Sequence, residues 1–275
     1  MPELPEVETI ASGVHRRIHG ETILSAWFST SREPFRTPPD EMAHALTGQR
    51  IAGVRRVGKH IVFDLSSPSD PHAPSAQWIV HLGMTGQLLV GPAALPVPAH
   101  THAILSLSSG RELRFVDARR FGRLALRPAA AGPFTGPGRE PLTISPDEFA
   151  ALFRGRKVAI KPALLNQSLL HGVGNIYADE SLFRAGIRPT RPAGRLTRAR
   201  LDRLHAALRQ VLKAAIRAGG SSVSDYVDAE GERGFFQIQH RVYAREGQPC
   251  RVCGTPIRKI VLGGRGTHYC PHCQT

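Results

Sequence analysis

Apolar residues recur at helical spacing from the very start of the chain. In PEVETIASGVHRRIHG, Val7, Ile10, Val14 and Ile18 share one face, Pro5 suits a first turn, and Glu6 and Glu8 complement the helix dipole. The pattern predicts an amphipathic helix that begins almost at the terminus. From about Thr22 to Leu126 the period shortens to alternating or apolar runs: ILSAWF, RIAGVRRVGKHIVFDL, QWIVHLGMTGQLLV, HAILSLSSGRELRFVD and GRLALRP. With Gly, Pro and Ser-Ser-Gly between them, these runs predict a mainly antiparallel sandwich or barrel.

The stretch 128–146, PAAAGPFTGPGREPLTISP, carries too much Pro and Gly for a regular element and reads as a linker between domains. Ser145-Pro146-Asp147-Glu148 is a capping box with Pro at the first helical position. Helices are expected to follow over FAALFRG, AIKPALLNQSLL, IYADESLFRAG and LTRARLDRLHAALRQVLKAAIRAGG. The last has Leu201, Leu204, Leu208, Val211, Leu212 and Ala215 on one face and stops at Gly219-Gly220. Residues 221–236 have weak periodicity and predict a mobile loop, long enough to be functional or disordered. Domain boundaries are expected near 130 and 236, giving segments 1–130, 131–236 and 237–275.

Length and composition fit this plan. A chain of 275 residues is longer than one typical domain, and 41% hydrophobic content suits a globular protein. No apolar run approaches a membrane span, and Glu3, Glu6 and Glu8 make the start unlike a secretory signal, so a cytoplasmic protein is expected. Lys and Arg number 36 against 22 Asp and Glu, a net charge of +14. Such a balance favours a polyanion, nucleic acid first, because neutralising phosphates releases counterions. An Arg-rich solvated surface is the competing reading.

All four cysteines lie near the C-terminus: Cys250-Arg-Val-Cys253, sixteen residues, then Cys270-Pro-His-Cys273. Two C-x-x-C pairs at this separation supply four thiolates for one structural Zn2+. Two disulfides fit a cytoplasmic chain poorly. A module this small cannot hold a core without its metal. Its hairpin, RKIVLGGRGTH, would present Arg258, Lys259 and Arg265 to a partner.

Three further stretches carry candidate chemistry. In LLHGVGNIYADE, Gly172 and Gly174 lie between helical segments, where backbone N–H groups and the Asn175 amide can meet a phosphate, with Lys161 and Arg156 adding charge. A plain tight turn is the simpler reading. HLGMTG and DARRFG hold Met84, Arg119 and Phe121, the residue types that fill the hole a departing base leaves in a duplex. Taken singly, Met84 and Phe121 fit a core and Arg119 a solvated surface, and spacing alone does not bring the three together.

Together these motifs resemble one family, formamidopyrimidine-DNA glycosylase, which removes oxidised purines from DNA. The resemblance spans the chain: MPELPEVET, RRVGKH, HLGMTG, DARRFG, AIKPALLNQ, HGVGNIYADESLFRAGI, the GGSS segment and CRVCGTPI…RGTHYCPHC. It implies an α+β multidomain protein: an N-terminal β-sandwich with a leading helix, a helix-two-turns-helix domain and a C-terminal zinc finger, with damaged double-stranded DNA running between the lobes of a monomer. By residue, it implies Pro2 as nucleophile, Glu3 as acid/base partner, Lys59 as the lysine of base removal and elimination, and Arg265 as the zinc-finger arginine on phosphate. Met84, Arg119 and Phe121 match intercalating positions; His100, Arg156, Lys161 and Asn175 match backbone-contacting ones. The loop after Gly220 matches the segment that closes over the extruded base. Ala118, His60, Asn166 and Arg156 stand where proline, tyrosine, aspartate and lysine are usual.

The groups suit the implied chemistry. Removal of Met1 would expose a secondary α-amine at Pro2, and an α-amine, with a pKa of roughly 8, is partly neutral near pH 7. Two other readings remain at this stage. One is the related endonuclease VIII branch, which prefers oxidised pyrimidines; the PELPEVE start favours the purine branch. The other is a non-catalytic zinc-ribbon binding protein.

Overall fold

Helix α1 (Leu4–Ile18) forms where the periodicity expects it, with Pro5 in its first turn and Val7, Ile10, Val14 and Ile18 buried. Each such side chain contributes roughly 1.5–3 kcal/mol when removed from water. In this computed structural model, residues 1–30, 33–67, 69–221 and 234–275 are described. The chain divides into two compact units, Met1–Thr135 with Gly219–Phe235, and Gly136–Ala218 with Phe236–Thr275.

The first unit is a sandwich of two antiparallel sheets. One has the order β1 (Ile23–Phe28), β6 (Thr101–Leu107), β7 (Arg111–Val116), β5 (Gln87–Pro92). The other runs β2 (Arg50–Val57), β3 (His60–Ser67), β4 (Asp70–His81), β8 (Arg123–Pro128). Alternate residues such as Ile61, Phe63 and Leu65 of β3 and Leu105 and Leu113 of β6 and β7 point inward, and the apolar face of α1 joins the same core. Two differences from the sequence expectation stand out. RIAGVRRVGKHIVFDL is a hairpin, β2 and β3, joined at Gly58-Lys59, where Gly58 supplies a φ of +60°. A short helix, α2 (Pro39–Leu46), interrupts the β region and buries Met42 and Leu46, an i,i+4 pair too brief to establish a period.

The second unit is helical and ends in a small hairpin. Its helices are α3 (Pro146–Phe153), α4 (Ile160–Leu165), α5 (Asn175–Arg184) and α6 (Arg198–Arg217). The capping box at α3 forms as expected, with Ser145 Oγ accepting from the Glu148 N–H at 3.2 Å. The segment AIKPALLNQSLL is helical only to Leu165; Asn166 then caps a tight turn through its side chain to the Ser168 N–H. Strands β9 (Arg258–Leu262) and β10 (Arg265–Tyr269) pair across Gly263-Gly264, whose φ values of +58° and +73° suit a two-residue turn. The loop expected at 221–236 lies outside the described residues over 222–233; Ser221 and Phe235 bridge antiparallel at its two ends.

Candidate active site and nucleic-acid interface

The N-terminal arm is an ordered element. Pro2 and Glu3 are buried while Met1 is 47% exposed. The Glu6 carboxylate holds the arm from two sides: Oε2 accepts the Glu3 N–H at 2.8 Å, and Oε1 accepts the Ser221 N–H at 2.8 Å. Gly220, at φ +84°, packs directly on Glu6, and a Cβ there would sit 2.9 Å from Glu6 Cγ. A Cβ on Gly234 would lie 2.5 Å from both the Gly219 and the Gly220 carbonyl oxygens. Glycine at these positions therefore lets backbone and carboxylate approach to hydrogen-bonding distance.

Lys59 occupies the β2–β3 turn and is 9% exposed. Arg56 braces that turn, donating to Glu8 Oε2 on α1 at 2.7 Å and to the Gly58 carbonyl at 3.3 Å. The lysine turn and the helix that carries the arm are thus tied by one guanidinium. Nearby, burial lowers His81 to about 4, with His60, Lys59 and Arg123 acting in the same direction. The neutral ring accepts the Gly83 N–H at Nδ1, 3.1 Å away.

Met84, Arg119 and Phe121 converge. The turns that carry them touch backbone to backbone: a Cβ on Gly83 would lie 2.4 Å from the Phe121 carbonyl carbon. Arg119 stacks over the Phe121 ring at 4.7 Å, and Met84 and Phe121 are 41% and 48% exposed. Large apolar side chains held out at a turn, beside a cation, form a surface that a duplex can receive. His100 is exposed at a φ of +63°, and its carbonyl accepts the Asp117 N–H at 3.0 Å.

In the second unit the four cysteine sulfurs all lie within 4.8 Å of one another. A tetrahedral Zn2+ with Zn–S bonds of about 2.3 Å needs S···S edges of about 3.8 Å, so the donor set fits one structural zinc. Thr255 lowers the Cys253 thiol to about 6 through hydroxyl and backbone hydrogen bonds, while burial raises Cys270 and Cys273. Arg265 stands exposed beside the β9–β10 turn, and Gly263 of that turn rests on Pro162 of α4. Glu180 of α5, its carboxyl raised by burial, accepts the N–H groups of Arg241, Val242 and Tyr243, which anchors the approach to the finger.

Family models match three consecutive stretches: the formamidopyrimidine-DNA glycosylase N-terminal domain over residues 1–124, its H2TH domain over 137–227, and the zinc finger found in FPG and IleRS over 247–275. The chain belongs to the formamidopyrimidine-DNA glycosylase family. It is 45% identical to the formamidopyrimidine-DNA glycosylase of Solibacter usitatus, covering 100% of this chain and 99% of that one. It is also similar to a Lactococcus lactis FPG variant in complex with a Fapy-dG-containing DNA, with a TM-score of 0.89 and 33% identity over 100% of both chains. A MutM in complex with DNA containing carbocyclic 8-oxo-G gives a TM-score of 0.89 at 34% identity, again over 100% of both chains.

Two of the residues that the resemblance to formamidopyrimidine-DNA glycosylase sets against phosphate, Lys161 and Asn175, have internal partners in this structure. Lys161 is fully buried: Nζ lies 2.7 Å from Asp179 Oδ1 and donates to the Gly266 carbonyl and Thr267 Oγ1 at 2.9 Å each. With no exposed surface and three partners, its side chain clasps the hairpin in this structure. Asn175, half-buried at the start of α5, donates its amide to the same Gly266 carbonyl at 3.0 Å. Arg156 does remain exposed, its Nε donating to the Leu152 carbonyl at 2.6 Å. Sequence reasoning passed over the supporting groups Arg56, Thr85, Asp117 and Asp179. Arg56 and Asp179 are polar residues on a strand and a helix, while Thr85 and Asp117 sit in turns where polar residues are ordinary.

Proposed function

We propose that the chain is a bifunctional DNA glycosylase and abasic-site lyase that removes oxidised purines, 8-oxoguanine and formamidopyrimidines, from double-stranded DNA. Pro2, freed of Met1, acts as nucleophile through its secondary amine. Its lone pair bonds to the deoxyribose C1′ as the bond from C1′ to the base breaks, the base leaves with a proton, and the sugar ring opens to an iminium. Loss of the C2′ proton then expels the 3′ phosphate, and a second elimination expels the 5′ phosphate.

Glu3, adjacent to the nucleophile, moves protons at the sugar; Lys59 supplies a cationic acid; Arg265 holds phosphate. Because C1′ is shielded in a stacked duplex, the nucleotide leaves the helix, and Met84, Arg119 and Phe121 occupy the space behind it. His100, Arg156 and Asn175 bind the backbone. We take 1–130, 131–236 and 237–275 as the catalytic, helix-two-turns-helix and zinc-finger parts, working in the cytoplasm. Among the described residues no helix is long and apolar enough to cross a membrane.

The observation that carries this reading is the anchored arm: Pro2, at a position that is usually frayed, is here buried, and the Glu3 N–H that follows it is held by Glu6. Borohydride trapping on an 8-oxoguanine duplex tests it. A covalent adduct is expected with the wild-type chain and none with Pro2→Gly; no adduct from protein whose N-terminal proline is verified by mass spectrometry would leave a binding protein. Efficient thymine-glycol removal with 8-oxoguanine untouched would instead place the chain with enzymes of oxidised pyrimidines.

A further inference from the structure

The residues that hold the wedge in shape lie beneath it, around Asp117. This carboxylate is completely buried, with 0% of its surface exposed. Oδ1 accepts the Thr85 hydroxyl at 2.5 Å, and Oδ2 accepts the Gly122 N–H at 2.7 Å. The Asp117 carbonyl accepts from His102 Nε2 at 3.1 Å, and its N–H donates to the His100 carbonyl at 3.0 Å. Thr85 is bonded twice, since its oxygen also accepts the Arg119 N–H at 3.3 Å.

One residue therefore ties three loops, and each of those loops carries a DNA-facing side chain: Met84 in the first, Arg119 and Phe121 in the second, His100 in the third. The geometry is unforgiving. A Cβ on Gly122 would lie 3.0 Å from Asp117 Oδ2 and 2.6 Å from the Phe115 ring, and one on Gly86 would lie 2.3 Å from the Leu82 carbonyl oxygen. Both turns are thus pressed against their supports, and the Thr85–Asp117–Gly122 bridge fixes the spacing between Met84 and Phe121.

We propose that Asp117, acting through Thr85, is a positioning residue for nucleotide extrusion: it holds the Met84 and Arg119–Phe121 turns at the separation needed to enter the duplex as one unit. This rests on the glycosylase reading given above. A buried carboxylate that accepts from two different loops behaves as a fixed pin, because charge-assisted bonds are about twice as strong as neutral ones and neither partner can turn to water. Asparagine replaces it only in part. Its single oxygen can accept the Gly122 N–H, but the amide nitrogen then faces Thr85 as a donor, so the acceptor for the Thr85 hydroxyl and the negative charge are both lost.

The test compares Asp117→Asn, Thr85→Val and Thr85→Ser with the wild type in single-turnover cleavage of two duplexes, one with 8-oxoguanine opposite cytosine and one with a preformed abasic site, where no base must be extruded. Thr85→Val is nearly isosteric and leaves the bond from Asp117 to Gly122 in place, so it keeps the test open if Asp117→Asn folds poorly. Losing a charge-assisted bond corresponds to a fall of about tenfold to a hundredfold in 8-oxoguanine excision. The fall on the abasic duplex is expected to be about threefold or less, and Thr85→Ser is expected to recover most of the rate. A fluorescent base opposite the lesion should brighten more slowly in Asp117→Asn and Thr85→Val, reporting late wedge entry. Equal losses on both duplexes would reduce Asp117 to a fold-stabilising residue, and undiminished excision in Thr85→Val and Asp117→Asn would remove the proposal. Failure of the wild type on both duplexes would overturn the glycosylase reading instead.

Discussion

The wedge of the first unit and the hairpin tip of the second are both short turns that hold side chains out to solvent, yet different physics holds them. The hairpin is fixed by four cysteines gathered within 4.8 Å and by the buried Lys161–Asp179 pair at 2.7 Å. Among the described residues the wedge has no cluster of metal-ligating groups, and the ion pair at its edge, Arg123 with Glu33 at 3.2 Å, is partly exposed. Its two turns are set by backbone contact at Gly83 and by hydrogen bonds to one carboxylate. A small module with little apolar interior needs strong point constraints, whereas a turn on a large sandwich borrows the rigidity of the sheets beneath it.

The sharpest way to break this contrast is to remove a cysteine. Cys273→Ser, or chelation, should unfold the finger and lower DNA affinity by two orders of magnitude or more, since structural zinc contributes roughly 10–16 kcal/mol to finger modules. The wedge unit should keep its own unfolding transition. Metal analysis with a binding isotherm checks the first point, and unchanged affinity in metal-free protein would show that the finger does not carry binding.

A smaller effect is expected at the clasp. Lys161→Met removes the cationic partner of the buried Asp179 and leaves it the His268 N–H at 2.8 Å, which costs about 3–5 kcal/mol, read as a shift of the urea midpoint. The double variant Lys161→Met, Asp179→Leu should recover much of that loss. A single-variant loss below about 1 kcal/mol would mean the hairpin is held by zinc alone.

The smallest effect sharpens the contrast through pH. Burial holds His81, beside the wedge, and His240, in the second unit, each at about 4. In the unfolded chain each titrates near roughly 6.5, so between these values the unfolded state binds the extra proton and stability falls as pH drops. The loss is absent above about 6.5, complete below about 4, and at most about 3 kcal/mol per histidine. His81→Gln should flatten the acid limb of the first unit only, and an unchanged limb would show that His81 titrates freely.

Legibility followed the same divide. The finger announces itself by spacing alone, and α1 and the Ser145 capping box by period and residue type, because each depends on neighbours in sequence. The wedge does not, since Met84 and Phe121 meet through chain folding across 37 positions, and Asp117 looks like any polar residue at a strand end. The internal partners of Lys161 were hidden for a related reason. A lysine beside a helix in a chain of net charge +14 suggests phosphate, and only the tertiary fold brings Asp179 and the Gly266 carbonyl to it.

The buried arm also has a history. Met1 stands half in solvent while Pro2 and Glu3 are locked down by Glu6, so the bond between residues 1 and 2 lies at the edge of a finished element. A trimming peptidase needs an extended strand, and a nascent chain offers one, because it emerges from its N-terminus before its partners have been made. On the role proposed for Pro2, its exposure is a race between processing and docking. On that proposal, a batch synthesised faster than it is trimmed would contain identical folds of which a fraction stays silent until refolding in the presence of the peptidase exposes the bond again.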